Sequence, residues 1–280
     1  MVTVSIIIPC YNDGKYLAEA LGSVKAQTCP DIECIVINDG STDPLTLQLL
    51  EHLPAQGIIL LETLPGRKGP SAARNTGIAA AKGEFILPLD ADDRIASSYV
   101  AKALRCMREN PSVGICYCKA SLFGLKRGEW RLPSYSWEGI LADNMIFATA
   151  MFRKQDWETL GGYDESLIVG SEDHAFWLRL IALGREVVRI EEELFHYRVK
   201  PHSRTARMVE SNQEERALEE VFHSCEPIYS QNALLLLKNL RRLQKEKAAW
   251  TCLLSWRFFA PIMRIEWLLR QKVKKVLGRA

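Results

Sequence analysis

Short apolar runs that alternate with helical patterns constrain this chain more than any other feature of its first half. Val2 to Pro9 is nearly continuous and rich in β-branched residues, as a strand buried on both faces of a parallel sheet requires. The polar loop Tyr11-Asn12-Asp13-Gly14 follows, and then Leu17, Leu21 and Val24 recur at helical spacing. Ile32 to Ile37 predicts a second strand, closed by Asn38-Asp39-Gly40-Ser41-Thr42-Asp43, with Pro44 suited to the first turn of a helix. Ile58 to Leu61 reads as a third strand. Gly69-Pro70-Ser71 opens an Ala-rich helix through Ala81 that Gly83 stops, and Phe85 to Leu89 is a fourth strand. Repeated strand–helix units predict an α/β fold, an open, mostly parallel, doubly wound sheet with helices on both faces. Ligands of such sheets bind at the carboxyl ends of the strands.

Those ends are acidic. Asn12, Asp13, Asp39, Asp43, Asp90, Asp92 and Asp93 fall along one edge. The run Leu89-Asp90-Ala91-Asp92-Asp93 crowds three carboxylates together with no cation before Arg94, and bound Mg²⁺ or Mn²⁺ would relieve their repulsion. Taken alone, the run serves equally well as a helix start, with Asp92 or Asp93 as N-cap before Ser97-Ser98-Tyr99. Asp43 has the same two readings, turn cap or ligand contact. No G-x-G-x-x-G follows the first strand and no P-loop is present, which removes the common dinucleotide and nucleoside-triphosphate fingerprints. Asp39 stands where the ring N–H of a bound base can donate to it. Arg74, in the small-residue start of a helix beside the rim, is the candidate phosphate ligand.

Further along, Gly161-Gly162-Tyr163-Asp164-Glu165 reads as a loop, and Ser171-Glu172-Asp173-His174 begins an amphipathic helix. Carboxylates in a first turn suit the helix dipole, but one of them is also placed to take a proton from a substrate hydroxyl. Glu186 to Ile190 is a closing strand, followed by two imidazoles and several cations between Phe195 and Arg204.

A net charge of +2 gives no reason to expect a nucleic-acid partner. Eight cysteines are scattered among apolar neighbours, which favours buried thiols and a reducing, cytoplasmic compartment. The closest pair, Cys116 and Cys118 on either side of Tyr117, is a poor start for a zinc site. The amino terminus lacks a secretory pattern, and no stretch reaches the length of an uncharged membrane span.

Taken in order, these segments resemble the family-2 glycosyltransferases of the GT-A fold over roughly residues 1–205. The matching elements are Val4-Ser5-Ile6-Ile7-Ile8-Pro9-Cys10-Tyr11-Asn12, Val36-Ile37-Asn38-Asp39-Gly40-Ser41-Thr42-Asp43, Ala73-Arg74-Asn75-Thr76-Gly77, Leu89-Asp90-Ala91-Asp92-Asp93 and Glu172-Asp173. The resemblance implies a nucleotide-sugar donor, usually a UDP-sugar, held by Pro9, Tyr11, Asn12, Asp39, Arg74, Asp90 and Arg198. It implies a divalent metal (Mn²⁺ or Mg²⁺) on Asp92 and Asp90, with Asp92 the direct ligand, and Asp173 as general base with Glu172 assisting the acceptor. One base opposite the leaving group implies inversion. Many relatives carry Tyr-Arg-x-His where this chain has Tyr197-Arg198-Val199-Lys200, so the histidine duty passes to His196, as a further metal ligand, or to His202. Arg198 and Arg204 are the candidates to close over the diphosphate. Two other classes compete. Asp90, Asp92 and Asp173 argue against a non-catalytic nucleotide-sugar-binding module. The absence of a Gly-rich cationic loop after the first strand argues against a sugar nucleotidyltransferase.

Residues 206–280 read as a helical C-terminal extension. From Trp250 onward there are seven Lys or Arg against the single acid Glu266. Trp256, Phe258, Phe259 and Trp267, with Ile262, Ile265, Leu269, Val273 and Val276 on one helical face, fit peripheral contact with an anionic membrane on its cytoplasmic side. That contact would suit a lipid-linked saccharide acceptor. The same face could pack on the catalytic domain or form a homodimer. Residues 130–157, with Trp137, Asn144, Met145 and Phe147, are either the acceptor pocket or core.

Overall fold

The computed structural model describes residues 2–63, 69–201 and 211–255. Its first half follows the predicted alternation: β1 (Val4–Cys10), α1 (Gly14–Lys25), β2 (Ile32–Asn38), α2 (Pro44–Glu51), β3 (Ile59–Glu62), α3 (Pro70–Ala80) and β4 (Phe85–Pro88). These strands pair in parallel in the order β3-β2-β1-β4. β1 is central, and Ile6, Ile7 and Ile8 are wholly buried. Each contributes about 1.5–3 kcal/mol relative to an exposed side chain. Pro9 lies past the last β1–β4 pairing, Ile7 with Pro88, so its missing N–H costs the β4 ladder nothing. Helix α3 lies almost on the sheet: a Cβ on Gly77 would come within 2.6 Å of Ile37 Cδ1 and 2.8 Å of Ile7 Cγ2.

The second half departs from a parallel pattern. It comprises β5 (Arg94–Ile95), α4 (Tyr99–Glu109), β6 (Val113–Gly124), β7 (Gly128–Trp130), α5 (Trp137–Ile140), β8 (Met151–Arg153), α6 (Lys154–Leu160), α7 (Glu172–Ala182) and β9 (Glu186–Val199). The full order is β3-β2-β1-β4-β8-β6-β9-β5, with β7 on β6. β8 runs antiparallel to both β4 and β6, β5 to β9 and β7 to β6, while β6 and β9 are parallel. The sheet is therefore mixed. Strands as short as β5 and β8 carry too few residues to show a period, so a sequence reading passes over them.

The closing strand is also longer than Glu186 to Ile190. It continues to Val199, after register irregularities against Cys118, Lys119 and Ala120 on β6. The segment Phe195 to Val199 is thus strand, and it pairs His196 with Arg94 on β5. That extension delivers Arg198 and Lys200 to the Asp90–Asp93 turn.

The chain divides into two compact units, Met1–Ser230 and Gln231–Ala280. Helix α8 (Glu214–Ser224) belongs to the first unit because it buries Ala217 and Val221. It is also fastened there: Ser224 Oγ donates to Asp164 Oδ2 at 2.6 Å, and Val169 N–H to Glu220 Oε2 at 3.2 Å. Helix α9 (Glu226–Ser255) follows. Leu234, Leu237, Leu240 and Leu243 on it are exposed. Among the described residues no helix is long and apolar enough to cross a membrane, and the cysteines with described side chains are free thiols. The aromatic and basic residues expected to meet a membrane, from Trp256 onward, lie outside the described residues, as do His202 and Arg204.

Candidate active site

At the carboxyl edge of the sheet the loops are tied to one another before any ligand is considered. Asn12 adopts φ 56°, a left-handed conformation that Asn tolerates better than most residues. Its Oδ1 accepts from Thr42 N–H at 2.8 Å and Asp43 N–H at 2.9 Å, and its own N–H donates to Ser41 Oγ at 3.1 Å. Asn12 thus joins the loops after β1 and β2. Asp43 is the N-cap of α2, accepting from Thr46 N–H at 2.8 Å, which settles its two readings in favour of the cap. Asp39 is buried. Its Oδ1 accepts from Thr63 Oγ at 2.8 Å and its Oδ2 from Gly69 N–H at 2.9 Å, so the carboxylate is held rigidly at the end of β2. Pro9 and Tyr11, both partly exposed, flank the same edge.

The turn after β4 separates its three carboxylates into different environments. Asp93 is buried and is not a helix cap, since α4 begins at Tyr99 after Ser98. It accepts from the Arg198 N–H at 2.7 Å, and burial followed by the nearby Asp92 and Asp90 charges holds its pKa well above the usual range. Asp92 faces Lys200: Nζ lies 2.8 Å from Asp92 Oδ2 and 2.6 Å from Asp13 Oδ1. Burial raises the Asp92 pKa, the Lys200 ammonium opposes that rise, and Asp90 adds to it. Asp90 pairs at 2.9 Å with Arg74.

Two of the expected phosphate ligands are committed elsewhere. Arg74 is 2% exposed and bridges Asp90 on the donor edge to Glu172 on α7, at 2.7 Å. Burial weakens its hold on the proton, but Asp90 and Glu172 more than reverse this and keep it charged. A guanidinium enclosed in this way is structural to the site, not open to a phosphate, and Glu172 is buried with it. Arg198 donates from Nε to the Asp92 carbonyl at 2.7 Å and pairs with Glu19 at 2.9 Å. Its guanidinium lies 4.6 Å from the Tyr16 ring and 4.3 Å from the Phe123 ring, so it locks β9 against α1 instead of standing over the crevice.

Asp173 stands in the first turn of α7 and remains partly exposed. It accepts from its neighbour His174 N–H at 2.9 Å through Oδ1, and from Asn144 Nδ2 at 3.0 Å through Oδ2. Burial, then the Glu172 charge, pushes its pKa up to about 6, with Arg74 opposing. His174 anchors the turn by donating from Nε2 to the Ile140 carbonyl at 2.6 Å. Asn144 therefore belongs to the site, whereas Met145 and Phe147 are buried, the latter 4.4 Å from Phe195 in ring-centroid distance. The segment thus contributes a side chain that contacts Asp173 as well as core residues, a distinction its composition did not reveal.

His196 does not join Asp90 and Asp92. Its Nδ1 lies 2.7 Å from Ser121 Oγ, and among the described residues no three His, Cys, Asp or Glu side chains form a metal-holding group. What remains is a pair of partly exposed carboxylates, Asp90 and Asp92, close enough to influence each other's protonation. Such a pair fits a hard divalent cation that takes its other oxygens from phosphate and water, not one held in an all-protein cage. Lys200, missed as a site residue, carried one readable signal: a cation just past the end of a strand that closes opposite an acidic edge.

The structure thus combines a mixed α/β sheet, a charged edge at its carboxyl ends and a nearby carboxylate with a raised pKa, and comparison with known proteins identifies the group to which it belongs. The model of glycosyl transferase family 2 matches residues 5–166, and the chain belongs to that family. It is a glycosyltransferase with the GT-A fold. It is similar to the putative glycosyltransferase EpsH of Bacillus subtilis, 28% identical over 273 residues that cover 87% of this chain and 72% of EpsH. It is also similar to the poly(ribitol-phosphate) β-N-acetylglucosaminyltransferase TarS of Staphylococcus aureus, 28% identical over 214 residues, which cover 71% of this chain but 36% of TarS. The crystal structure of TarS 1–349 with UDP-GlcNAc has a TM-score of 0.62 at 21% identity, over 73% of this chain and 61% of that one. The mannosyltransferase PcManGT of Pyrobaculum calidifontis, in complex with GDP-Man and Mn²⁺, has a TM-score of 0.59 at 18% identity, over 99% and 88% of the two chains.

Proposed function

We propose that this chain transfers a sugar from a UDP-sugar to a saccharide hydroxyl with inversion at the anomeric carbon. The observation that carries this reading is Asp173, a partly exposed carboxylate with its pKa raised to about 6 and oriented by Asn144, beside the buried bridge that leads to the donor edge. A base poised near neutral pH accepts a proton from an attacking hydroxyl far better than an ordinary aspartate. Asp39, fixed by Thr63 and Gly69, supports recognition of a uracil N–H. UDP as the nucleotide is supported by the UDP-GlcNAc complex of TarS.

The residues divide the work. Asp173 removes the acceptor proton as the hydroxyl attacks, on the face opposite the departing UDP. Arg74 acts through others, holding Asp90 and Glu172 so that the donor edge and the α7 turn keep one spacing. A divalent cation on Asp92 and Asp90, when bound, would supply positive charge to the leaving diphosphate. A lipid-linked acceptor, with peripheral attachment to an anionic membrane through residues 256–280, follows from the basic and aromatic composition of that segment. The exposed leucines of α9 offer the competing use, a homodimer.

The test is UDP release from a panel of UDP-sugars, with Mn²⁺ and with candidate saccharide acceptors, by wild type and Asp173→Asn. Acceptor-dependent UDP release that falls by roughly 10²-fold or more in the variant, with UDP binding preserved, supports the reading. Full transfer by the variant, or release of inorganic diphosphate, overturns it.

A further inference from the structure

We propose that Lys200 is an internal counter-ion that occupies Asp92 while the site lacks donor, and moves its charge onto the donor diphosphate when the cation and donor enter together. The inference rests on the sugar-transfer reading for the identity of the diphosphate, though not for the competition at Asp92.

Lys200 Nζ lies between two carboxylates from different loops, Asp13 after β1 and Asp92 after β4. Its side chain is 19% exposed, Asp13 27% and Asp92 15%, so the cluster is at the crevice surface and open to an incoming ion. The Tyr16 ring lies 5.3 Å from the ammonium on its other side, a second favourable contact for a cation. Backbone pairing fixes the base of the side chain: Val199 pairs with Gly124 on β6, and its carbonyl accepts from Leu125 N–H at 2.9 Å. From that fixed point a four-carbon stem with a rotating ammonium can change partners without moving the strand.

Charge decides when it changes. One ammonium serves Asp13 and Asp92, and Asp90 stands close by with Arg74, whose other partner is Glu172. A diphosphate added to this edge without a further cation meets excess negative charge. A cation arriving alone must displace an ammonium already in contact with Asp92, and finds no third protein ligand among the described residues. A cation that arrives with the diphosphate brings phosphate oxygens as ligands. The same oxygens give Lys200 a partner in exchange for Asp92. Metal and donor therefore bind together, and each is weak without the other. Where the resemblance leads one to expect a histidine that would add a metal ligand, a lysine instead makes the metal-free state self-neutralising.

The experiment measures Mn²⁺ alone, by electron paramagnetic resonance of the free ion, against wild type, Lys200→Met and Lys200→Gln, with thermal melting to confirm folding. Removing the competitor should tighten Mn²⁺ binding by a factor of about two to five, the scale of one partly exposed ion pair. UDP binding in saturating Mn²⁺ should weaken in the same variants by a similar factor. Unchanged Mn²⁺ affinity in a folded variant overturns the proposal. A tightened Mn²⁺ affinity in a chain that binds no nucleotide upholds the competition at Asp92 and instead refutes the sugar-transfer reading.

Discussion

Arg74 and Glu172 are separated by 98 positions in the sequence and by 2.7 Å between Nη1 and Oε1. With Asp90 on the other terminal nitrogen, the guanidinium links the turn that follows β4 to the first turn of α7. Its Nε has no hydrogen-bond partner among the described residues, and the Tyr163 ring lies 5.7 Å from the guanidinium carbon.

Removing that link takes from buried Glu172 the guanidinium paired with it at 2.7 Å. Arg74→Met should lower stability by about 3–5 kcal/mol, the penalty typical of breaking one side of a buried pair. Thermal or urea unfolding measures it, and a loss under 1 kcal/mol would mean the pair is not buried as described.

Asp173 sets a pH dependence of opposite sign for rate and for stability. Its working form is the carboxylate, so kcat should rise with pH through about 6 and level off above it. Because the folded-state pKa is raised above the ordinary 3.8, the folded protein holds this proton more tightly than the unfolded chain. Stability from this group is thus present at low pH and lost as pH climbs from the ordinary value through about 6. At pH 7 Asp173→Asn should be more stable than wild type, by on the order of 1 kcal/mol after allowance for partial exposure, while nearly inactive. A variant that melts lower at pH 7 would contradict this.

Asn144→Ala removes the amide donor to Asp173 Oδ2. That donor stabilises the charged form, so the inflection of the kcat profile should move to higher pH. A pH–rate profile of the two proteins checks the direction; an unmoved inflection would separate Asn144 from the base.

Asn12→Ala loses the acceptor for two backbone N–H groups and forces alanine into a left-handed conformation. The expected loss is about 2–3 kcal/mol. Asn12→Gly, which tolerates that φ, should recover part of it; equal losses in the two variants would exclude a backbone contribution.

The half of the fold built from β1 to β4 was legible because its strands are long or wholly apolar and its loops carry turn residues. The acidic edge formed by Asp39 and Asp90 was legible for the same reason, since each follows closely on one of these strands. The second half was not, since β5 and β8 are too short for a period and β9 carries Glu191, Glu192 and Glu193 in its middle. Residue type exposed the charges but not their partners. Arg74 and Arg198 looked like phosphate ligands because solvent-exposed and enclosed arginines are the same letter; only the approach of Glu172, Asp90, Tyr16 and Phe123 distinguishes them. Lys200 and His196 were exchanged in importance because the strand ran farther than its apolar pattern.

The extension of β9 to Val199 has a consequence for how this enzyme can diversify. The Arg198 backbone N–H donates to the Asp93 carboxylate, and His174 Nε2 donates to the main-chain carbonyl of Ile140. Neither tie depends on the side chains displayed by Gly128 to Trp130 or by the loop beyond them. Substitutions there leave both ties in place, so the surface that β7 and the loop after it present can change while the α7 turn carrying Asp173 and the β9 end carrying Arg198 keep their register.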